Sequence, residues 1–160
     1  MRIPLKLMAL LSVCVLASGC ASTGKSYDYT AYKQSRPHSI LVLPPVNNAP
    51  DIKASYGLLS QATMPLAESG YYVFPVALVD ETFRQNGLST PADIHAVAPD
   101  KLREIFGADA ALYITITEYG TTYKVIVSDT RVTANARLVD LKTGAPLWEG
   151  AATASSSEQR

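Results

Sequence analysis

The chain has 160 residues, 48% of them hydrophobic, with 14 basic and 14 acidic side chains and no net formal charge. That length supports one domain with a real core. The even charge balance argues against nucleic acid as a partner, because proteins that bind it carry a basic surplus.

Residues 1–19 have the three-part build of a secretory signal: Arg2 and Lys6, an apolar run over residues 7–17, then the small residues Ser18 and Gly19 before Cys20. The run is too short to cross a bilayer as a helix, which takes about 20 apolar residues. Leu16-Ala17-Ser18-Gly19-Cys20 resembles the lipobox of bacterial lipoproteins, although the position three before the cysteine, where that family favours Leu, holds Ala17. The resemblance implies cleavage before Cys20, a diacylglycerol on its thiol and an N-acyl chain such as palmitate on its new amino group. Sulfur is the nucleophile such chemistry needs, and small neighbours let the extended backbone enter the processing sites. The plainer alternative is a secretory signal followed by a chance cysteine.

Each buried acyl methylene contributes about 0.8 kcal/mol, and several chains together hold a protein to a membrane stably. Ala21 stands where an aspartate would favour the inner membrane, so the expected location is the outer membrane, lipid-anchored, with the domain in the periplasm. Loss of Arg2 and Lys6 leaves 12 basic against 14 acidic side chains, a net charge of −2. Cys14 departs with the signal and Cys20 is acylated, so no disulfide can form within one mature chain and the core must hold by packing.

Residues 20–37 are expected to be the lipidated cysteine and a flexible tether, polar and without core periodicity. Fully extended, residues 21–37 would reach about 55–60 Å. Tyr27, Tyr29 and Tyr32 interrupt the polarity, and either pack locally on the domain or the lipid interface or dock on a partner. A single α/β domain is expected over residues 38–155.

Residues 39–43 are a continuous apolar run closed by Pro44-Pro45, which fits a central strand buried on both faces. Residues 46–50 leave as a loop, and Asp51 can cap a helix over residues 52–69. Leu58, Leu59, Ala62 and Leu66 form its apolar stripe. Pro65 predicts a kink or break, and Gly70 the end. Residues 71–76 fit a second strand with Pro75 at an edge or exit. A short helix over 77–86 closes at Gly87, residues 88–91 turn, residues 92–98 make a helical turn, and residues 99–106 form a helix stopped by Gly107.

The last third changes to period two. Strands are expected over residues 110–119, 122–128, 131–141 and 145–154, with turns at Gly120-Thr121 and Lys142-Thr143-Gly144. This is the pattern of a half-buried antiparallel meander. The expected fold is therefore α/β (α+β): a mixed sheet with an N-terminal βαβα part and a C-terminal antiparallel meander, helices packed on the sheet. Residues 155–160 end without a closing element, which suggests a truncated C-terminus.

Residues 39–47 and 65–76, Gly107-Ala108-Asp109-Ala110, Asp140-Leu141-Lys142-Thr143-Gly144 and Trp148-Glu149-Gly150 together resemble a family of lipoproteins from Gram-negative bacteria, that of the neisserial surface-antigen candidate lipoprotein. The similarity spans most of residues 20–155 and rests on turns and core strands. It implies a fold like the N-terminal domain of TolB and the periplasmic domains of CsgG, LpoB and PelC, a role in envelope assembly, export or regulation, no cofactor beyond the covalent lipid on Cys20, and a further C-terminal helix. It offers no catalytic residue to carry over.

Residues in patterns that carry chemistry are few. Only His38 and His95 could supply imidazole to a metal. No Gly-x-Ser-x-Gly elbow or Gly-rich phosphate loop occurs, and Ser155-Ser156-Ser157 is a polar run without a base. Asp80-Glu81, adjacent on a helix, should point apart as a solvated face. Gly107-Ala108-Asp109 needs only a turn. Arg131, Asn135 and Arg137 share one strand face by even spacing, either an exposed polar surface or a contact for an oligomer or glycan. The expectation is a non-enzymatic lipoprotein with the membrane and an envelope protein or a second copy as partners. The alternatives are a regulator of a cell-wall enzyme or peptidoglycan-binding module, and, further off, a hydrolase with a pocket of converging perturbed residues.

Overall fold

The computed structural model describes residues 27–51, 54–123 and 128–155. The signal, Cys20 and the first part of the expected tether lie outside the described residues. The elements run α1 (Thr30–Ser35), β1 (Ser39–Val42), β2 (Val46–Asn47), α2 (Ala54–Glu68), β3 (Tyr72–Val73), α3 (Val76–Gln85), α4 (Pro91–His95), α5 (Pro99–Phe106), β4 (Ala110–Tyr123), β5 (Ser128–Asp140) and β6 (Pro146–Ser155). They build one mixed sheet in the order β3-β1-β4-β5-β6, with β2 pairing β4 further along. β1 is parallel to both its neighbours, and β4, β5 and β6 are antiparallel.

The continuous apolar run of β1 is continuous because helices cover both faces of the sheet. On one face Leu41 and Leu43 join Val79 and Phe83 of α3, Ile94 of α4 and Leu102 of α5. On the other, Ile40 and Val42 join Leu59 of α2, with Leu58, Ala62 and Leu66 packed beside it. Side chains of this size each contribute about 1.5–3 kcal/mol when fully buried. The first half of β4 is buried on both faces too, Ala111 and Tyr113 against the first layer and Ala110, Leu112 and Ile114 against the second. A half-buried strand was expected there; it lies instead in the middle of the sheet, under helices on both sides.

Four other expectations change. Residues 30–37, assigned to the tether, carry α1 and the link into β1. The helix docks because Tyr32 packs on the second layer and its hydroxyl hydrogen-bonds that of Tyr71, while Ser35 Oγ donates to Asp140. Val46-Asn47 is a short strand, its backbone following β4 at Thr115 and Ile116. Of the kink or break expected at Pro65, no break occurs: α2 continues to Glu68, and the Pro65 carbonyl still accepts from the Ser69 N–H at 3.0 Å. Gly120-Thr121 is no turn. β4 runs straight through, pairing Gly120 with Arg131 and Thr121 with Thr130. The meander thus has three long strands rather than four. β4 takes one extra residue between Ile116 and Glu118, a bulge that swaps which side chains face which layer beyond it.

The remaining stops agree. β3 is a sheet edge ahead of Pro75, and Gly70, Gly87 and Gly107 each follow a helix at positive φ. Gly144 does the same in the β5–β6 turn, where its N–H donates to the Asp140 carbonyl at 2.8 Å.

Candidate functional site

Two depressions stand out, the first lined by residues of both layers. One lies where the chain leaves β1: Pro44 and Pro45 form its floor, Tyr56, Asp80 and Arg84 its rim, in a groove of about 440 Å³. The two carboxylates read as diverging do diverge. Glu81 turns along α3 to Arg84, whose Nε donates at 3.1 Å, and to Gln85 at 2.8 Å. The Arg84 hydrogen bond, then that from Gln85, holds its carboxyl below the usual range. Asp80 faces the groove, where burial pushes its carboxyl up.

The second depression is an open trough of about 570 Å³ over the meander, beside the end of α4. His95, Tyr113, Asn135, Arg137 and Glu149 line it. β4 brings Tyr113 opposite Arg137 of β5, and Arg137 stands opposite Glu149 of β6. The Arg137 guanidinium lies 4.6 Å from the centre of the Tyr113 ring, a cation–π contact. His95 meets the same ring edge-on at 5.3 Å, and its Nε2 is 2.8 Å from the Pro44 carbonyl oxygen, so Nε2 carries the proton. Burial lowers the His95 pKa and Arg137 lowers it further, against the opposing pull of the Pro44 carbonyl. The Tyr113 hydroxyl is shifted up by burial.

Of the residues singled out in the sequence, the structure brings Asn135 and Arg137 into this trough and leaves Arg131, exposed, further along β5. His95 joins them across the fold, which no spacing in the sequence announces. His38 is exposed beside the start of β1, where its N–H donates to Asp109 at 2.8 Å. Asp109 also accepts from the Ser39 N–H at 3.1 Å, so the Gly107-Ala108-Asp109 turn also clamps the start of β1. Among the described residues, no three His, Cys, Asp or Glu side chains are grouped so that they could hold a metal ion.

Chemically the trough offers groups for polar recognition. A nucleophile needs a base within hydrogen-bond reach. The one aliphatic hydroxyl lining the trough is Thr115, and His95, whose Nε2–H donates to the Pro44 carbonyl, keeps Nδ1 as its acceptor. What remains is a guanidinium, an amide and a carboxylate over an aromatic floor, suited to charged or polar groups of a partner.

The model of a family described as "Putative lipoprotein GNA1162-like" matches residues 27–160. The chain is 52% identical over 147 residues to "Putative lipoprotein NMB1124/NMB1162" of Neisseria meningitidis serogroup B, covering 92% of this chain and 68% of that protein. It superposes on the crystal structure of lipoprotein GNA1162 from Neisseria meningitidis with a TM-score of 0.72 at 56% identity, over 75% of this chain and 83% of the other. The fold is shared with the LpoB C-terminal domain from Salmonella enterica, TM-score 0.54 at 17% identity over 80% and 98% of the two chains. It is also shared with the PelC dodecamer from Paraburkholderia phytofirmans, TM-score 0.53 at 18% identity over 76% and 73%.

Proposed function

Because this chain belongs to the GNA1162-like lipoprotein family, we propose that it is a non-enzymatic, lipid-anchored accessory or assembly subunit of an envelope complex. Acylated Cys20 holds it to the outer membrane and its domain lies in the periplasm. The observation that carries this reading is the match of a lipoprotein family to residues 27–160 of a chain whose residues 16–20 resemble a lipobox. The two depressions supply surfaces for a partner: a groove with an apolar floor and a charged rim, and an open polar trough. The PelC chain of the same fold is described as a dodecamer, so assembly with further copies of this chain is one form such a complex could take.

Replacing Cys20→Ser tests the anchor. The expected result is loss of acylation and release of the protein from the outer-membrane fraction. A serine variant that is still processed and still fractionates with that membrane overturns the reading. Crosslinking in the cell followed by mass spectrometry tests the assembly role; the expected product is a defined envelope protein or an oligomer of the chain, lost in Arg137→Glu. A protein that stays monomeric and captures nothing counts against it. Pull-down on purified sacculi separates this role from peptidoglycan binding.

A further inference from the structure

Resting on the reading that the groove at the end of β1 receives a partner, we propose that it docks a basic–apolar peptide segment of that partner. A lysine or arginine of the segment pairs with Asp80, and an apolar neighbour sits on Pro44 and Leu88. The first argument is topology. The chain leaves β1 for β3 through α2 on one face of the sheet, then passes from β3 to β4 through α3, α4 and α5 on the other. β3 and β4 flank β1 and run parallel to it, so the connections part to opposite sides at the carboxyl end of β1. In sheets of this kind, the crevice at such a point is where ligands bind. The groove opens there, between Ser55, Tyr56 and Leu59 of α2 and Asp80 and Arg84 of α3.

The second argument is shape. The groove's 440 Å³ falls within the range of about 300–1,000 Å³ found for ligand sites. Its floor is held in place by the fold: Pro45 and Ile94 are buried, and the Pro44 carbonyl accepts from His95 Nε2 at 2.8 Å. Pro44, Leu88 and Pro91 are only half-buried, which leaves apolar surface for an incoming side chain to cover. On the rim Tyr56 stands 76% exposed, a residue type that often anchors protein interfaces.

The third is charge, which selects the segment. Arg84, the cation on the rim, is committed to Glu81: its Nε donates at 3.1 Å and the two form an ion pair. Asp93 on α4 accepts from the Thr90 hydroxyl at 2.6 Å. Asp80 has no such arrangement. Among the described residues, no ion pair or hydrogen bond reaches its carboxylate, and burial raises its pKa without an opposing cation. With Glu81 and Arg84 cancelling each other, the charge left on the rim is that of Asp80. A cation brought by a partner would gain a pairing that this carboxylate lacks within its own chain, and an acidic segment would meet repulsion.

The test uses the full chain in detergent micelles as bait for a phage-displayed library of random peptides. The expected result is a consensus that sets lysine or arginine beside an apolar residue. A synthetic peptide of that consensus, followed by fluorescence anisotropy, should bind Asp80→Asn and Tyr56→Ala several-fold more weakly and Asp80→Lys not at all. Arg84→Gln should bind it more tightly, because Glu81 then becomes a second unpaired carboxylate. All three positions are exposed, so the far-UV circular dichroism should not change. A consensus without a basic residue, or a peptide that binds Asp80→Lys as well as the natural chain, overturns the basic partner and leaves the groove as a docking surface. Enrichment of no peptide overturns the groove as well, and leaves the Cys20 anchor, which the serine variant tests, untouched.

Discussion

Asp140 ties α1 to the β5–β6 turn. It is 8% exposed, and its carboxylate accepts from Ser35, 105 residues away, and from the turn N–H groups of Lys142 at 2.7 Å and Thr143 at 2.9 Å. Burial alone would raise its pKa; the Ser35 hydroxyl and the turn amides outweigh that and lower it. Asp140→Ala should cost about 1–3 kcal/mol, the penalty for leaving buried donors unmet, measured by denaturant unfolding. A carboxyl held below its unfolded pKa stabilises the fold above that value, and the contribution fades as pH falls through the folded value. Tyr71 gives the opposite window. Its hydrogen bond to Tyr32, reinforced by burial, pushes it up to about 12 from 10.0. Its contribution is therefore complete below pH 10 and lost as pH climbs toward 12. Tyr71→Phe should flatten the alkaline limb of a stability–pH curve between those values, a comparison made by thermal melts of the two proteins.

At the level of elements, α2 and β6 carry opposite lessons about small local features. α2 passes through exposed Pro65 without ending, so the ring costs a backbone bond and gives nothing back in packing. Pro65→Ala should stabilise by about 1–3 kcal/mol, given the helix-interior penalty of proline, seen as a higher denaturant midpoint. In β6, Gly150 lies under the Trp148 indole: a Cβ there would fall 2.3 Å from a ring carbon. Gly150→Ala should therefore destabilise by about 1–3 kcal/mol through overpacking, with a shifted Trp148 emission. Gly150 carried no expected packing role, and the turn predicted at Gly120 is one that the structure lacks. A glycine followed by threonines carries the local signature of a turn, yet Gly120 pairs with Arg131, because thirteen residues of β5 offer a ladder that outweighs local preference. Helix boundaries fared better: Gly70, Gly87 and Gly107 all follow helices at positive φ, a requirement met within one turn of chain and so visible there.

Across the whole molecule, one sheet separates two apolar layers, and β1 and β4 belong to both. The layers cannot come apart independently. Denaturation should appear as one transition, with the fluorescence of Trp148, the sole tryptophan, coinciding with far-UV circular dichroism; a split between the two probes would show the layers melting separately. Residue order alone determined the alternation of helix and strand, the burial of β1 on both faces and the change to period two after Gly107. Those features depend on side-chain size and periodicity over a few neighbours, which is information the chain carries locally. Only the tertiary structure decided that α1 leaves the tether and docks, that β4 continues through Gly120, and that His95, Tyr113 and Arg137 meet in one trough. Each depends on partners from separate elements of the chain or on a strand pairing. Such contacts form only when the whole sheet closes, since it is the assembled surface, rather than any single segment, that lowers their free energy.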